Sequence, residues 1–380
     1  MTRASSRLTH VVQISFFSDP GRRLPAQLLD AWPTMVDVAE AACQAGIRVS
    51  VIQASTHSQH LARHGVDYYF LPFGEGLRAF RNNATFAELL RKLAPQLLHV
   101  HGLGFPRDVL SLASLTPGVA IVLQDHANRP PRIWRRRLWR RALSVASGIA
   151  FCALDQARPF ADAGLIHPGL RLYEIPESTC RFTPGDRQEA RRATGLHGDP
   201  AILWVGHLNS NKDPFTVLEG IAAAARELAH LQLFCCFGAA PLLRGVETRI
   251  AKDDDLRGRV HLLGRVPHEK IEQLMRAADI FVLGSHREGS GYSLIEALAC
   301  GLPPVVTDIP SFRSLTQAGT IGRLWPCGDA RALCDALRSA AHSESDVRDT
   351  VRAHFDRELS FQSLGMKLAA MYLDVLVRNH

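Results

Sequence analysis

The stretch REGSGYSLIEALACGLPPVVT, Arg287 to Thr307, decides the fold. It follows the apolar run DIFVLGS and opens on the small residues Gly289, Ser290 and Gly291. The run SLIEALACG then reads as a helix, and PPVVTD after it reads as a strand. Strand, short turn, helix and strand make one unit of a parallel sheet. A parallel strand is covered on both faces, so it appears as a continuous apolar run rather than an alternating one. The helix is expected to start near Tyr292 or Ser293. Glycines before a helix let backbone come close to a ligand, and the free amides of the first turn suit an anion.

Outward from this unit the pattern repeats. AILWVG, LQLFCCFG and RVHLLG read as further strands, with DPFTVLEGIAAAARELA, HEKIEQLMRAA and DARALCDALRSAAHS as helices. The closing SFQSLGMKLAAMYLDVL is a long amphipathic helix. From Arg181 to Pro200 the sequence becomes polar and is punctuated by Gly and Pro, which marks a domain boundary with a short helix at its centre. The first half alternates in the same way: HVVQISFF, RVSVIQAS, DYYFLPF, QLLHVHG, GVAIVLQDH and SGIAFCAL read as strands. PTMVDVAEAACQAG reads as a helix, with Pro33 in its first turn and Gly46 as its stop. The chain is 380 residues long, too long for one ordinary core. An α/β protein with two Rossmann-like, doubly wound domains facing a central cleft is the architecture expected.

Composition narrows the class. With 46% hydrophobic and 21% charged residues the chain is globular rather than disordered. No apolar run reaches the ~18 residues of a membrane span. MTRASSRLTHVVQISFF has no signal-peptide core, so a cytoplasmic protein is expected. None of the eight cysteines forms a C-x-x-C pair, so buried reduced thiols are expected and no metal site.

Ligands of open α/β sheets bind beyond the carboxyl ends of the strands. After AILWV comes Gly206-His207-Leu208-Asn209-Ser210-Asn211-Lys212-Asp213-Pro214, where Lys212 offers a positive charge to a phosphate. A solvated surface lysine is the plainer reading of Lys212 alone. Glu296 lies one turn into the helix of the opening stretch, placed to accept hydrogen bonds from sugar hydroxyls. Glu288 precedes the turn and reaches the other end of the ligand. Phosphate in the middle and a polyol at either end describe a nucleotide-sugar. Read singly, Glu296 serves equally well as a helix-terminus stabiliser and Glu288 as an exposed side chain.

Glu288 and Glu296, seven residues between them and followed by ALACGLPPVVT, resemble the E-x7-E signature of the retaining GT-B glycosyltransferases of family four, the glycosyl transferases group 1. WVGHLNSNKDP resembles that family's VGRLxxxKG loop, and VHLLGRV, GRLWPCGDARAL and the closing helix resemble further segments. In the first half LLHVHG and VLQDHA resemble its strand-end histidine positions. The resemblance implies residues 1–182 as an N-terminal acceptor domain and 183–198 as a linker. It implies 199–355 as the nucleotide-sugar domain and 356–380 as a helix crossing back to the first domain. Lys212 would then hold the donor diphosphate, cradled by Gly206 and by the backbone of Gly289, Ser290, Gly291, Tyr292 and Ser293. Glu296 would bind the nucleotide ribose and Glu288 the transferred sugar. Arg265 and Val266 would meet the nucleobase. His126 would face the reacting sugar, with His101 a weaker candidate. The catalytic set implied is His126, Lys212 and Glu288, with a UDP- or GDP-sugar as donor, an unidentified acceptor hydroxyl, and neither cofactor nor metal.

Two departures stand out. The family's arginine is here His207, which offers a neutral hydrogen bond, or a charge near neutral pH, in place of a charged fork. The family's Gly-Gly turn after the first strand is here SDPGRR, and its PNG turn is Pro176-Glu177-Ser178. These keep open an alternative: a catalytically inactive sugar-nucleotide-binding or partner protein. A dinucleotide oxidoreductase is disfavoured, because no G-x-G-x-x-G follows the first strand.

The net charge of +7 is local. Seven arginines and no acid lie between Arg129 and Arg141, in RPPRIWRRRLWRR, which argues against nucleic acid as a general partner. Ile133, Trp134 and Leu138 fall near one face at helical spacing. Three readings stand for Arg132, Arg135 and Arg136. They are an acceptor site for an acidic substrate, peripheral contact with the inner face of an anionic membrane, or an ordinary helix with Trp packed inward.

Overall fold

The computed structural model describes residues 9–72, 84–342 and 346–379. Most of the N-terminal tail read above lies outside these. By its contacts the chain divides into two compact units, Met1–Thr179 with Phe361–His380, and Cys180–Ser360.

The first unit holds an eight-stranded sheet. Its strands are β1 (His10–Ser15), β2 (Arg48–Ser55), β3 (Gln59–Arg63), β4 (Val66–Pro72), β5 (Leu97–His101), β6 (Ala120–Gln124), β7 (Gly148–Phe151) and β8 (Arg171–Glu174), in the order β3-β4-β2-β1-β5-β6-β7-β8. All neighbours are parallel except β3 and β4. That antiparallel edge turns at His64 and Gly65, both at positive φ, the geometry of a tight hairpin. Strand β3 escapes sequence reading because QHLAR is short, exposed and lacks an apolar run. The helix Phe361–Asn379 packs on the helix Pro33–Gln44, burying Leu364, Leu368, Met371 and Tyr372. Their backbones touch: a Cβ on Gly365 would lie 2.3 Å from the Ala41 carbonyl oxygen.

The second unit holds a six-stranded sheet. It comprises β9 (Ala201–Val205), β10 (Gln232–Cys236), β11 (Val260–Gly264), β12 (Ile280–Leu283), β13 (Pro304–Thr307) and β14 (Arg323–Trp325). The order is β11-β10-β9-β12-β13-β14, parallel throughout, the winding of a dinucleotide-binding fold. Strands β9, β10, β12 and β13 are almost wholly buried, which is why they appear as unbroken apolar runs.

The stretch 183–198, expected to be a linker, is part of this second unit. Its helix Arg187–Thr194 packs on the helix His268–Ala277. Arg187 and Arg191 both bind the Asp279 carboxylate at 2.6 Å. The short helix read at the centre of this polar stretch is present, and its arginines tie it into the second unit by ion pairs.

Candidate functional site

Winding reverses in the second sheet between β9 and β12. Loops leaving two such strands diverge to opposite faces and leave a crevice at their carboxyl ends. Here the two loops are laced together. His286 N–H donates to the Asn211 carbonyl (2.8 Å), and Asn211 Nδ2 donates to the Arg287 carbonyl (2.9 Å). Lys212 Nζ donates to Glu288 Oε1 at 2.6 Å, with both side chains largely buried. Gly206 lies against the lysine stem: a Cβ there would sit 3.4 Å from Lys212 Cε, in van der Waals contact. An ammonium has three donors and Glu288 takes one, so two remain for a ligand.

The helix Tyr292–Ala299 begins where the sequence suggests. Gly291, its N-cap, is required twice over. It has φ of 62°, and a Cβ there would meet the Phe312 ring at 2.7 Å. No side chain caps this terminus. An uncapped, glycine-led helix end beside a largely buried lysine has the chemistry to accept an anion.

Glu296 is 3% exposed and bound by His268 Nε2 at 2.5 Å. Burial raises the Glu296 pKa against the opposing pull of His268. The His268 pKa is raised in turn, chiefly by its hydrogen bond to Glu296. His268 was not read from sequence. It stands 28 residues from Glu296, at the start of the helix that follows β11. An exposed histidine in HEK carries no local signal of a buried partner. Arg265 is exposed and Val266 half-buried against the core, in the same loop as His268.

His207 is tied to the loop that follows β10: its Nδ1 accepts the Ala239 backbone N–H at 3.0 Å. That leaves Nε2 as the nitrogen able to donate to a ligand.

The first unit carries its own reversal, between β1 and β5, and a cavity of about 470 Å³ lies there. Phe17, Trp32, Met35 and Phe105 line it, with His126 and Glu177. His126 Nδ1 is ion-paired with Glu177 Oε2. Burial opposes the His126 charge, but Glu177 and then Asp125 outweigh it and raise the pKa. Burial pushes Asp125 up to about 6.

A hydrogen-bonded chain runs inward from His126. Its Nε2 meets His101 Nδ1 at 3.2 Å, and His101 Nε2 meets Gln13 Oε1 at 3.4 Å. Gln13 Nε2 donates to Tyr372 Oη at 3.3 Å, and that hydroxyl meets His99 Nδ1 at 2.8 Å. Burial and neighbouring His99 and His126 hold His101 neutral, which leaves its Nδ1 free to accept from His126.

Arg132, Arg135 and Arg136 stand apart from this cavity, around a single 3-10 turn (Ile133–Arg135) and the helix Arg136–Leu143. The shared apolar face expected for Ile133, Trp134 and Leu138 does not form. Trp139, Ala142 and Leu143 are the residues buried, while Ile133 and Trp134 project outward. The 3-10 turn shifts the phase of the segment relative to a continuous helix.

The family model for glycosyl transferases group 1 matches residues 186–355, and that for glycosyltransferase family 4 matches residues 33–168. A D-inositol 3-phosphate glycosyltransferase of Geodermatophilus obscurus is 34% identical over 214 residues, 53% of this chain and 46% of that protein. The chain spans about half the length of the curated relatives it matches. A sucrose-phosphate synthase from Thermosynechococcus elongatus superposes with a TM-score of 0.72 at 19% identity, covering 97% of this chain and all 100% of that one. Anabaena HepE, solved in complex with UDP, gives 0.72 at 15% identity over 96% of this chain and 100% of its own. These two likenesses are of fold.

Proposed function

The chain belongs to the group 1 glycosyltransferases and has the GT-B fold of two Rossmann-like domains, and from that premise we propose that it moves a sugar from a nucleotide-sugar to an acceptor hydroxyl with retention at the anomeric carbon. The observation that carries this is the Lys212–Glu288 pair seated at the reversal point beside the uncapped helix end. Lys212 and the amides from Gly291 to Ser293 receive the diphosphate. Glu296, oriented by His268, takes the ribose hydroxyls, and Arg265 with Val266 borders the base. Glu288 meets the transferred sugar.

Departure of the diphosphate builds negative charge, which Lys212, the helix amides and the Nε2–H of His207 stabilise. Fixed donors in a partly buried site act without reorganising, so they lower the barrier more than the same groups in water. On the first unit, His126 and its cavity receive the acceptor side of the reaction. The acceptor hydroxyl attacks from the face the diphosphate leaves, and no metal takes part. A UDP-sugar is the donor we favour, since UDP is named with the Anabaena neighbour.

The test is a thermal-shift series with UDP-, GDP- and ADP-glucose, with and without EDTA. A ligand that binds the folded state raises the melting temperature by mass action. One nucleotide class should raise it, in EDTA as well, and the shift should vanish in Glu296→Ala. No shift with any of the three would overturn the reading.

A further inference from the structure

We propose that the Arg129–Arg141 segment is a docking surface for an anionic lipid bilayer. The proposal is independent of the reaction above and rests on three observations.

The first is exposure. Ile133 is 73% and Trp134 70% exposed, adjacent in the chain and at the same turn. Large apolar side chains left in water singly are ordinary, but a projecting pair ringed by one sign of charge marks an interaction site. The same segment buries Trp139, so it had the means to bury a tryptophan and leaves Trp134 out.

The second is charge. Lys and Arg outnumber Asp and Glu by seven in the whole chain, and seven arginines lie in this segment with no acid among them. All but Arg136 are exposed. Among the described residues no carboxylate pairs with any of the seven. Folding elsewhere in the molecule matches arginine with acid repeatedly, as at Asp279 and Asp374. Here Arg140 donates to the Gly164 carbonyl at 2.8 Å, and no carboxylate among the described residues neutralises the segment.

The third is geometry. The Arg132 guanidinium lies 5.4 Å from the centroid of the Trp134 ring. A cation over an indole, with an aliphatic neighbour beside it, suits the headgroup level of a bilayer. The guanidinium meets phosphate there while the ring and Ile133 enter the acyl boundary. Nucleic acid would use the arginines and stack on Trp134, but it has no use for an exposed isoleucine. No helix among the described residues is long and apolar enough to cross a membrane, so this contact is peripheral.

The experiment is co-sedimentation with vesicles of phosphatidylcholine alone and of phosphatidylcholine and phosphatidylglycerol in equal parts. The wild-type chain should bind the anionic vesicles, release in high salt, and ignore the neutral ones. Each arginine removed in Arg135→Gln and Arg137→Gln should weaken binding roughly fivefold. Trp134→Ala should weaken it several-fold further, and brominated acyl chains should quench less tryptophan fluorescence in Trp134→Phe than in the wild type. The positions are exposed, and circular dichroism checks that each variant is folded. Failure of the wild-type chain to bind anionic vesicles overturns the proposal. So does binding that all three substitutions leave unchanged. Binding to single-stranded RNA that the arginine variants lose, with no vesicle binding, assigns the patch to nucleic acid instead.

Discussion

The two reversal points of this molecule occupy the same topological place and are built from opposite materials. In the second unit the crevice between β9 and β12 is polar: a lysine–glutamate pair, a bare helix end and glycines where backbone must come close. In the first unit the place between β1 and β5 is a cavity walled by aromatic rings, and its one charged pair, His126 and Glu177, is backed by a buried chain of neutral groups. The sheet geometry supplies a crevice in both cases, and the side chains decide what enters. A diphosphate needs fixed positive charge and amides. A hydroxyl acceptor needs walls and one polar group that is held in place.

Four substitutions sharpen or break that contrast. The largest effect is expected for Lys212→Ala. It removes the cation of the polar crevice, so turnover should fall by about two to three orders of magnitude, roughly 3–4 kcal/mol on the barrier. The melting temperature should change little, because the pair lies at a crevice and not in a core. Wild-type turnover in the folded variant would end the distinction drawn here. Next is Gly291→Ala. It places a Cβ 2.7 Å from the Phe312 ring at a left-handed position. Denaturant unfolding should show a loss of about 2–3 kcal/mol, together with weaker nucleotide binding.

Tyr372→Phe probes the other crevice. It deletes the hydroxyl shared by Gln13 and His99 and leaves both buried groups without that partner. A cost of about 1–3 kcal/mol is expected in the same measurement, with nucleotide binding on the second unit unchanged. The smallest effect is a titration. Glu177 holds the His126 pKa above the usual histidine value, against burial. With a folded value above the unfolded one, the stabilisation from this pair is complete at pH below the ordinary histidine pKa. It is lost as pH rises through the folded value. In Glu177→Gln the NMR inflection of His126 should move down, and with burial then the larger influence the loss of stability on raising the pH should disappear. An unmoved inflection would show that Glu177 does not hold the charge.

The two regions also differ in how far they could be read from the chain. Lys212, Glu288, Glu296 and Gly291 fall in two short loops. A phosphate-binding turn needs its glycines, its cation and its helix start within a few residues of one another, so their spacing is visible. What escaped even there was His268, whose partner Glu296 belongs to another element, and the Ala239 backbone N–H that occupies Nδ1 of His207. The first crevice was legible only as strand-end histidines. Its chain joins Gln13, His99, His101, His126 and Tyr372, and Tyr372 comes from the last helix, 273 residues after His99. No local pattern encodes such a contact.

By itself the sequence determined the alternation of buried parallel strands with helices, because a strand covered on both faces must be apolar along its length and a helix only along one stripe. It also determined the glycine-rich loops that carry Lys212, Glu288 and Gly291, whose spacing is local. Only the tertiary structure decided that the short helix within 183–198 packs into the second unit, that Trp139 turns inward while Trp134 faces water, and that Glu177 meets His126. Each of those outcomes depends on which distant residue stands opposite in space. Distance in space is set by the order of the strands, a property of the whole chain that no single stretch of it carries.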